Sequence, residues 1–431
     1  MANNLTSNTA EKLLKKFTAN FMSDTVLFQT CGREIVNDYD ASTGGVVKMK
    51  RPTRYVPQLT ADGDLTGGDI NPISVGSVLG EVGQYITILV ETKDIERALE
   101  LDQLGDGTPN MDTLLGSAAT DMSVELETQL GKRMMDAAAL SSGSIDTPIT
   151  QWSNIADSGA LLHEIGAPKG NMYSAVSSYT ETALADANTA LGVNPQVGDA
   201  LASAMIRGKY AGFESVLRTN NLPSKTHGTE SNATLTVAAA PLQTYAAAKD
   251  SMQMTLSLSG GDAGGTIVAG QQLRFTTKYL TNMRNHKTVI NQSGAEEGFT
   301  VTVLADATAD GSGNYTLSVS GAAIFETGVD GAFNNISELI AISDVATVLG
   351  TADKSYRPAL SYCGRDFFGC GSVKLDPLPN MISKVINMPD QGLSIRVSMD
   401  SAILANSSYV RFDLLPTFAC YNPFLGVQVG G

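Results

Sequence analysis

The chain has 431 residues, 42% of them hydrophobic and 17% charged, with a formal net charge of −15. That composition excludes a disordered chain and gives room for about two or three domains with buried cores. The acidic balance excludes a surface built to grip a phosphate backbone, which needs clustered Lys and Arg.

Residues 10–22 (AEKLLKKFTANFM) read as a short amphipathic helix. Leu13, Leu14, Phe17 and Phe21 fall on one face, and Lys12, Lys15 and Lys16 lie largely elsewhere. Such a helix either docks on its own core or belongs to an arm, residues 1–24, that contacts a neighbouring subunit or assembly partner. In the second case Phe17 and Phe21 are contact residues. A block over 25–150 follows. Within it, 46–90 reads as a long two-stranded excursion with limbs VVKMKRPTRYVPQ and GQYITILV and a Gly- and Asp-rich tip. Two strands alone are marginal in water, so the excursion must lie on something. A neighbouring subunit is the natural candidate, with Arg51, Arg54, Tyr55, Tyr85, Ile86 and Ile88 as candidate contact residues.

The spacing of Leu114, Ala118, Met122, Leu126 and Leu130 predicts a helix over 111–140. At 1.5 Å per residue it would span about 45 Å, a spine for an extended domain. Gly131 inside it costs about 1 kcal/mol relative to Ala. Residues 155–232 alternate strand and helix: NMYSAV as a strand, Tyr179 to Leu191 as a helix, then a second helical stretch, DALASAMIRG. Leu222-Pro223 breaks the pattern.

Residues 233–345 then change character. TLTV (234–237), MQMTLSL (252–258), QLRFTT (272–277), FTVTV (299–303) and YTLSV (315–319) each alternate. Met252, Met254, Leu256 and Leu258 share one face, as do Phe299, Val301 and Val303. Short strands with turns between them predict a small barrel set into the surrounding α/β chain. The loop from Asp306 to Asn314 is spaced like a calcium loop, but Leu317 stands where the twelfth-position acid belongs, so it reads as a hairpin turn. After Asp353 the chain returns to mixed α/β, and residues 392–431 are strand-rich.

Cys31, Cys363, Cys370 and Cys420 form no CxxC pair, and His163, His227 and His286 lie far from them, so reduced thiols are expected and no zinc site. No secretory signal and no apolar run of about 20 residues is present. P-loop, nucleophile-elbow, HExxH and dinucleotide patterns are also lacking. The residues therefore predict no catalytic site, no metal, no cofactor and no membrane partner.

Four motifs carry a resemblance. Gly212-Phe213-Glu214-Ser215-Val216-Leu217-Arg218-Thr219, closing with Leu222-Pro223, resembles the stretch before the insertion domain in coat proteins of Salmonella-infecting short-tailed phages. Gly270-Gln271-Gln272-Leu273-Arg274-Phe275 resembles their Gly-Asp-x-Ile-x-Phe segment, and Met388-Pro389-Asp390-Gln391-Gly392-Leu393 their Ile-Pro-Asp-x-Gly-Leu. Asn422-Pro423-Phe424-Leu425-Gly426-Val427 is similar to their final strand. The order and spacing of these motifs cover 200–431, while 1–200 match by architecture.

The resemblance implies an α+β tailed-phage major capsid fold with an inserted β-barrel. The arm would be 1–24, the peripheral domain 25–150 with loop 46–90 and spine helix 111–140, the axial domain 151–232 and 346–396, the insertion 233–345, and the C-terminal return 397–431. It implies self-assembly into pentamers and hexamers of an icosahedral virion capsid in the host cytoplasm. Scaffolding protein and portal would be partners, and the shell would expand around double-stranded DNA without reading its sequence. The family's insertion domain carries a charged loop that reaches across a twofold axis. The matching stretch 241–251 is shorter and Ala-rich here, with Lys249 and Asp250 as its charged contact candidates. Two other readings stay open: a different phage or bacterial shell or sheath protein, and an enzyme with a β-barrel accessory domain.

Overall fold

The computed structural model describes residues 17–22, 25–36, 46–51, 62–66, 76–93, 109–168, 170–189, 206, 208–379, 381–388, 391–402 and 407–430. Two compact units divide the chain. Residues 1–47, 80–130 and 369–419 build the first, and 48–79, 131–368 and 420–431 the second.

In the first unit, a four-stranded antiparallel sheet runs in the order Ile382–Met388, Leu393–Ala402, Ser407–Leu414, Ile86–Lys93. Leu393, Ile395, Val397, Phe412 and Leu414 are fully buried on it. Residues 17–22 are helical, and Phe17 stacks on Phe412 with ring centroids 4.2 Å apart. The first-unit part of the long helix Pro109–Ala137 carries Glu127, whose carboxylate is 1% exposed. Its Oε1 accepts the amides of Val26 and Phe28 at 2.8 and 2.9 Å, which fastens the start of the short helix Leu27–Thr30.

The excursion differs from expectation in its return limb. Val46–Arg51 pairs with Gly76–Val82, at the end of a five-stranded sheet ordered Gly32–Val36, Phe368–Val373, Pro416–Cys420, Gly76–Val82, Val46–Arg51. Ile86–Lys93 pairs with Ser407–Leu414 instead. The reason is a crossing at Gly83. Its amide donates to Pro416 O at 2.8 Å, and a Cβ there would meet the Phe418 ring at 2.5 Å. Only glycine lets the chain pass this close and leave for the second sheet.

The second unit holds a mixed sheet ordered Leu140–Ser142, Gly426–Val429, Ala359–Cys363, Met172–Val176, Ser215–Arg218. The helix Trp152–Glu164 packs on it, with Ser158 Oγ donating to Ser361 Oγ at 2.8 Å, inside the core. The helix Ser178–Thr189 follows the strand Met172–Val176.

The same unit carries a closed barrel. Its staves, in spatial order, are Gln253–Ser259, Tyr315–Ser320, Gly298–Val303, Gln272–Tyr279, Val345–Val348 and Thr234–Ala239. All five alternating segments form staves, and Val345–Val348 closes the ring. Leu256, Leu258, Leu273, Phe275, Phe299, Val301 and Val303 are each 0% exposed. Burial of each such side chain contributes about 1.5–3 kcal/mol. The Asp306–Asn314 loop is a hairpin turn. Asp310 Oδ1 accepts the amides of Ser312 and Asn314 at 2.8 and 2.9 Å.

Candidate interface residues and buried ionic sites

The expected contact residues fall into four groups. Phe17 and Phe21 are 0% exposed and covered by the chain's own core, so the docked reading describes them and a direct contact with a neighbour does not. Tyr85 is 42% exposed, Ile88 is half-buried, and Ile86 is 6% exposed inside its own sheet, while Leu89 on the same strand, not among the expected contacts, is 59% exposed. Lys249 is exposed and Asp250 half-buried, and the Asp250 carbonyl accepts the Leu79 amide at 2.8 Å. Arg51 ends the strand Val46–Arg51. Its side chain, Arg54, Tyr55 and the stretch expected to be helical from Asp199 to Arg207, Ile206 apart, lie outside the described residues.

One charged cluster escaped the sequence reading. Arg396 and Asp413 are register partners across adjacent strands, and Asp413 faces Thr87 on the strand beyond. The pairing brings all three together. Asp413 is 0% exposed. Its Oδ2 accepts Arg396 Nε and Nη2 at 3.0 and 2.7 Å, and its Oδ1 accepts Arg411 Nε at 2.7 Å and Thr87 Oγ1 at 2.9 Å. Arg396 also donates to Tyr85 Oη at 2.8 Å and to Asp376 O at 3.0 Å. Burial pushes the Tyr85 phenol up, and the Asp413 charge adds to this.

A second cluster ties together the two connections of the barrel. Lys225–Thr226 pairs with Ser355–Tyr356. Lys225 Nζ lies 3.1 Å from Asp136 Oδ1 and donates to Gly270 O at 3.2 Å. Burial pushes the Lys225 ammonium down, and Asp136 opposes the shift. His227 Nε2 donates to Asp146 Oδ1 at 2.6 Å, and Asp146 Oδ2 accepts the Thr351 amide at 2.5 Å. Lys354 Nζ donates to Asp146 O at 2.6 Å, and Tyr356 stacks on the imidazole at 4.5 Å.

Burial pushes the His227 imidazole below its ordinary value, outweighing Asp146, which pulls the other way. The folded state therefore holds the neutral ring, while the unfolded ring titrates near pKa ~6.5. Stability from this group is complete above about pH 6.5 and is lost as pH falls through the lower folded value. Urea midpoints measured at pH 7.5 and 5.5 should drop more in the native chain than in His227→Gln. Equal drops would refute the assignment.

Among the described residues, no group of three or more His, Cys, Asp or Glu side chains is placed to hold a metal ion. Nor, among them, is any helix long and apolar enough to cross a membrane. A groove lined by His163, Gly166, Ala167, Pro168 and Arg284 is open to solvent, and Arg284 Nε donates to Gly166 O at 2.9 Å. It has no nucleophile paired with a base.

The family model described as P22 coat protein, gene protein 5, matches residues 1–431. The chain belongs to the P22 coat protein family. It is therefore a structural shell protein of a phage and not an enzyme, which removes the barrel-bearing enzyme and the sheath protein as readings. The chain is 35% identical over 435 residues to the major capsid protein of Acyrthosiphon pisum secondary endosymbiont phage 1, covering 100% of both chains. Among solved structures it is similar to the capsid of Cyanophage P-SCSP1u, with TM-score 0.41, 8% identity, and 94% and 87% of the two chains covered. The capsid of Ralstonia phage GP4 gives TM-score 0.41, 8% identity, and 95% and 92% covered.

Proposed function

We propose that this coat protein self-assembles into an icosahedral shell of pentamers and hexamers. Scaffolding protein and portal guide its assembly in the host cytoplasm, and the procapsid expands around packaged double-stranded DNA. The observation that carries this reading is the match to a phage coat family along the whole chain, together with a major capsid protein similar from end to end. The net charge of −15 supports it, since a strongly basic lumen would hold the genome by many phosphate contacts and hinder its movement. No base-reading surface is needed for that task.

The domain roles follow the same reading, with two shifts. The insertion domain extends to Val348, because Val345–Val348 closes the barrel. The intersubunit excursion comprises Val46–Arg51 and Gly76–Val82, and the edge strand Ile86–Lys93 offers a second contact through Leu89. Arg51, Arg54 and Tyr55 remain contact residues in this scheme, and Lys249 and Asp250 face a neighbouring insertion domain.

Co-expression with and without a scaffolding protein, read by negative-stain microscopy, tests the proposal. Closed shells of uniform size are expected with scaffold, and aberrant or no shells without it. Leu89→Asp should remain a folded, soluble subunit that assembles poorly, because its side chain is 59% exposed in the subunit. Absence of shells under both conditions would sink the reading, and normal shells from Leu89→Asp would remove the edge strand from it. Ile86→Asp is the wrong probe, since it buries a charge inside the subunit and tests folding alone.

A further inference from the structure

The long helix ends where its own sequence gives no reason to end. Ala137, Ala138 and Ala139 are the best helix formers, and neither Gly nor Pro follows until Gly143. Yet the helix stops at Ala137, and the chain enters the strand Leu140–Ser142. A helix end leaves four carbonyls without intrahelical donors. Here donors from elsewhere in the same unit reach three of them, Met135 O, Ala137 O and Ala138 O, and a further donor reaches Leu140 O in the strand beyond. Ser320 Oγ donates to Ala137 O at 2.8 Å, Thr302 Oγ1 to Ala138 O at 2.6 Å, and Gln272 Nε2 to Leu140 O at 2.8 Å. Gln428 Nε2, on the C-terminal strand, donates to Met135 O at 2.8 Å and reaches Ala138 O at 3.4 Å.

The three barrel donors are one row. Gln272 is the register partner of Thr302, and Thr302 of Ser320, across three adjacent staves. Their strand neighbours Leu273, Val301, Val303 and Val319 fill the barrel, so alternation turns the row outward. Two strand spacings of about 4.8 Å give a row about 9.6 Å long. Three residues of extended chain, from Ala137 to Leu140, cover about 10 Å. The order also agrees, since successive staves meet successive carbonyls in the same direction. Ser320, Thr302 and Gln272 are 3%, 0% and 1% exposed, so the row is covered by the segment it holds. Gly321 permits the approach: its φ is +94°, and a Cβ there would lie 2.7 Å from the Ala139 Cβ.

We propose that the outer wall of the barrel is a capping site that captures residues 137–140 as extended chain and so sets where the long helix stops. The row acts on a segment of the host chain and not on the barrel's own interior. An inserted domain with this site is part of the host framework.

Native-state amide hydrogen exchange of the full-length subunit tests the idea. Thr302→Val with Ser320→Ala removes both hydroxyl donors and keeps the shape close to the original. Exchange at residues 136–141 should rise by about tenfold or more, because Ala137 O loses its side-chain donor and Ala138 O keeps only the long contact from Gln428 Nε2. Amides of Leu256 and Leu317, inside the barrel, should keep their rates. Thr302→Ser retains the hydroxyl and should behave as the native chain. Unchanged rates at 136–141 in the double variant would overturn the proposal. Equal acceleration of Leu256 and Leu317 would also overturn it, since the hydroxyls would then serve the barrel itself. If the double variant does not fold, Ser320→Ala alone is read by the same two comparisons. Failure of Thr302→Ser to restore native exchange would show that the hydroxyl is not what the site uses.

Discussion

Replacing Asp413 with Ala is expected to cost about 3–5 kcal/mol of subunit stability, the usual penalty for removing one partner of a buried ion pair. Asp413 is fully buried and accepts four hydrogen bonds, three of them from Arg396 and Arg411. Without it the Arg396 guanidinium keeps only neutral acceptors, Tyr85 Oη and Asp376 O. Desolvation of a cation is not recovered by neutral acceptors alone. Replacing both partners, Arg396→Met with Asp413→Leu, should cost much less than the single change, because it removes the stranded charge with the pair. Urea unfolding of the purified subunit gives both values. A single-variant loss below about 1 kcal/mol would mean that water reaches the site and screens it.

The second large effect lies at the N-terminus. Phe17→Ala should destabilise the subunit by about 3–5 kcal/mol, since a fully buried ring leaves a cavity as well as a lost transfer term. The ring stacks on Phe412 at 4.2 Å with planes 5° apart, and Phe21 lies 6.5 Å from it. Deletion of residues 1–22 removes both rings and should do more harm than Phe17→Ala. Deletion of residues 1–16 keeps both and should cost far less. Equal unfolding midpoints for the two truncations would show that the rings contribute nothing.

These two sites also show what the sequence can and cannot reveal. The amphipathic pattern at 10–22 identifies an apolar face, but it says nothing of which body covers that face. Burial against Phe412 lies almost four hundred residues away in the chain, beyond any local pattern. The ion pair left a faint trace. In Tyr409-Val410-Arg411-Phe412-Asp413-Leu414, two opposite charges alternate with apolar residues and so share one face of a strand. Its partner Arg396 becomes visible only when the register of two strands is known. The barrel was legible for the opposite reason. Its five long staves alternate cleanly because one face of each fills the interior, and periodicity reports that directly.

What closed the barrel was harder to read. Val345–Val348 has four residues, with only Ala346 and Val348 fully buried, too short for a pattern to stand out. The helix Trp152–Glu164 was hidden because its buried face uses Ser158 and Gly159 beside Ile155 and Leu162, and small residues carry little hydropathic signal. The excursion was recognised as two-stranded, but its partner was misplaced by one strand. The crossing that sends Ile86–Lys93 elsewhere depends on Gly83 lying against Phe418, again a contact between distant segments.

The pairing of Ile86–Lys93 with Ser407–Leu414 also sets a clock on the ribosome. Thr87 and Asp413 are 326 residues apart. At about 5–20 residues per second, the early strand leaves the ribosome tens of seconds before its partner is made. During that interval Ile86, Ile88, Leu89 and Val90 form an unpaired apolar edge, the kind of template that recruits other chains. The barrel's staves lie between Thr234 and Val348, so all six are available well before residue 407 is added. A nascent chain thus carries all six staves and one waiting strand at the same time. The yield of soluble subunit then depends on how long that strand waits.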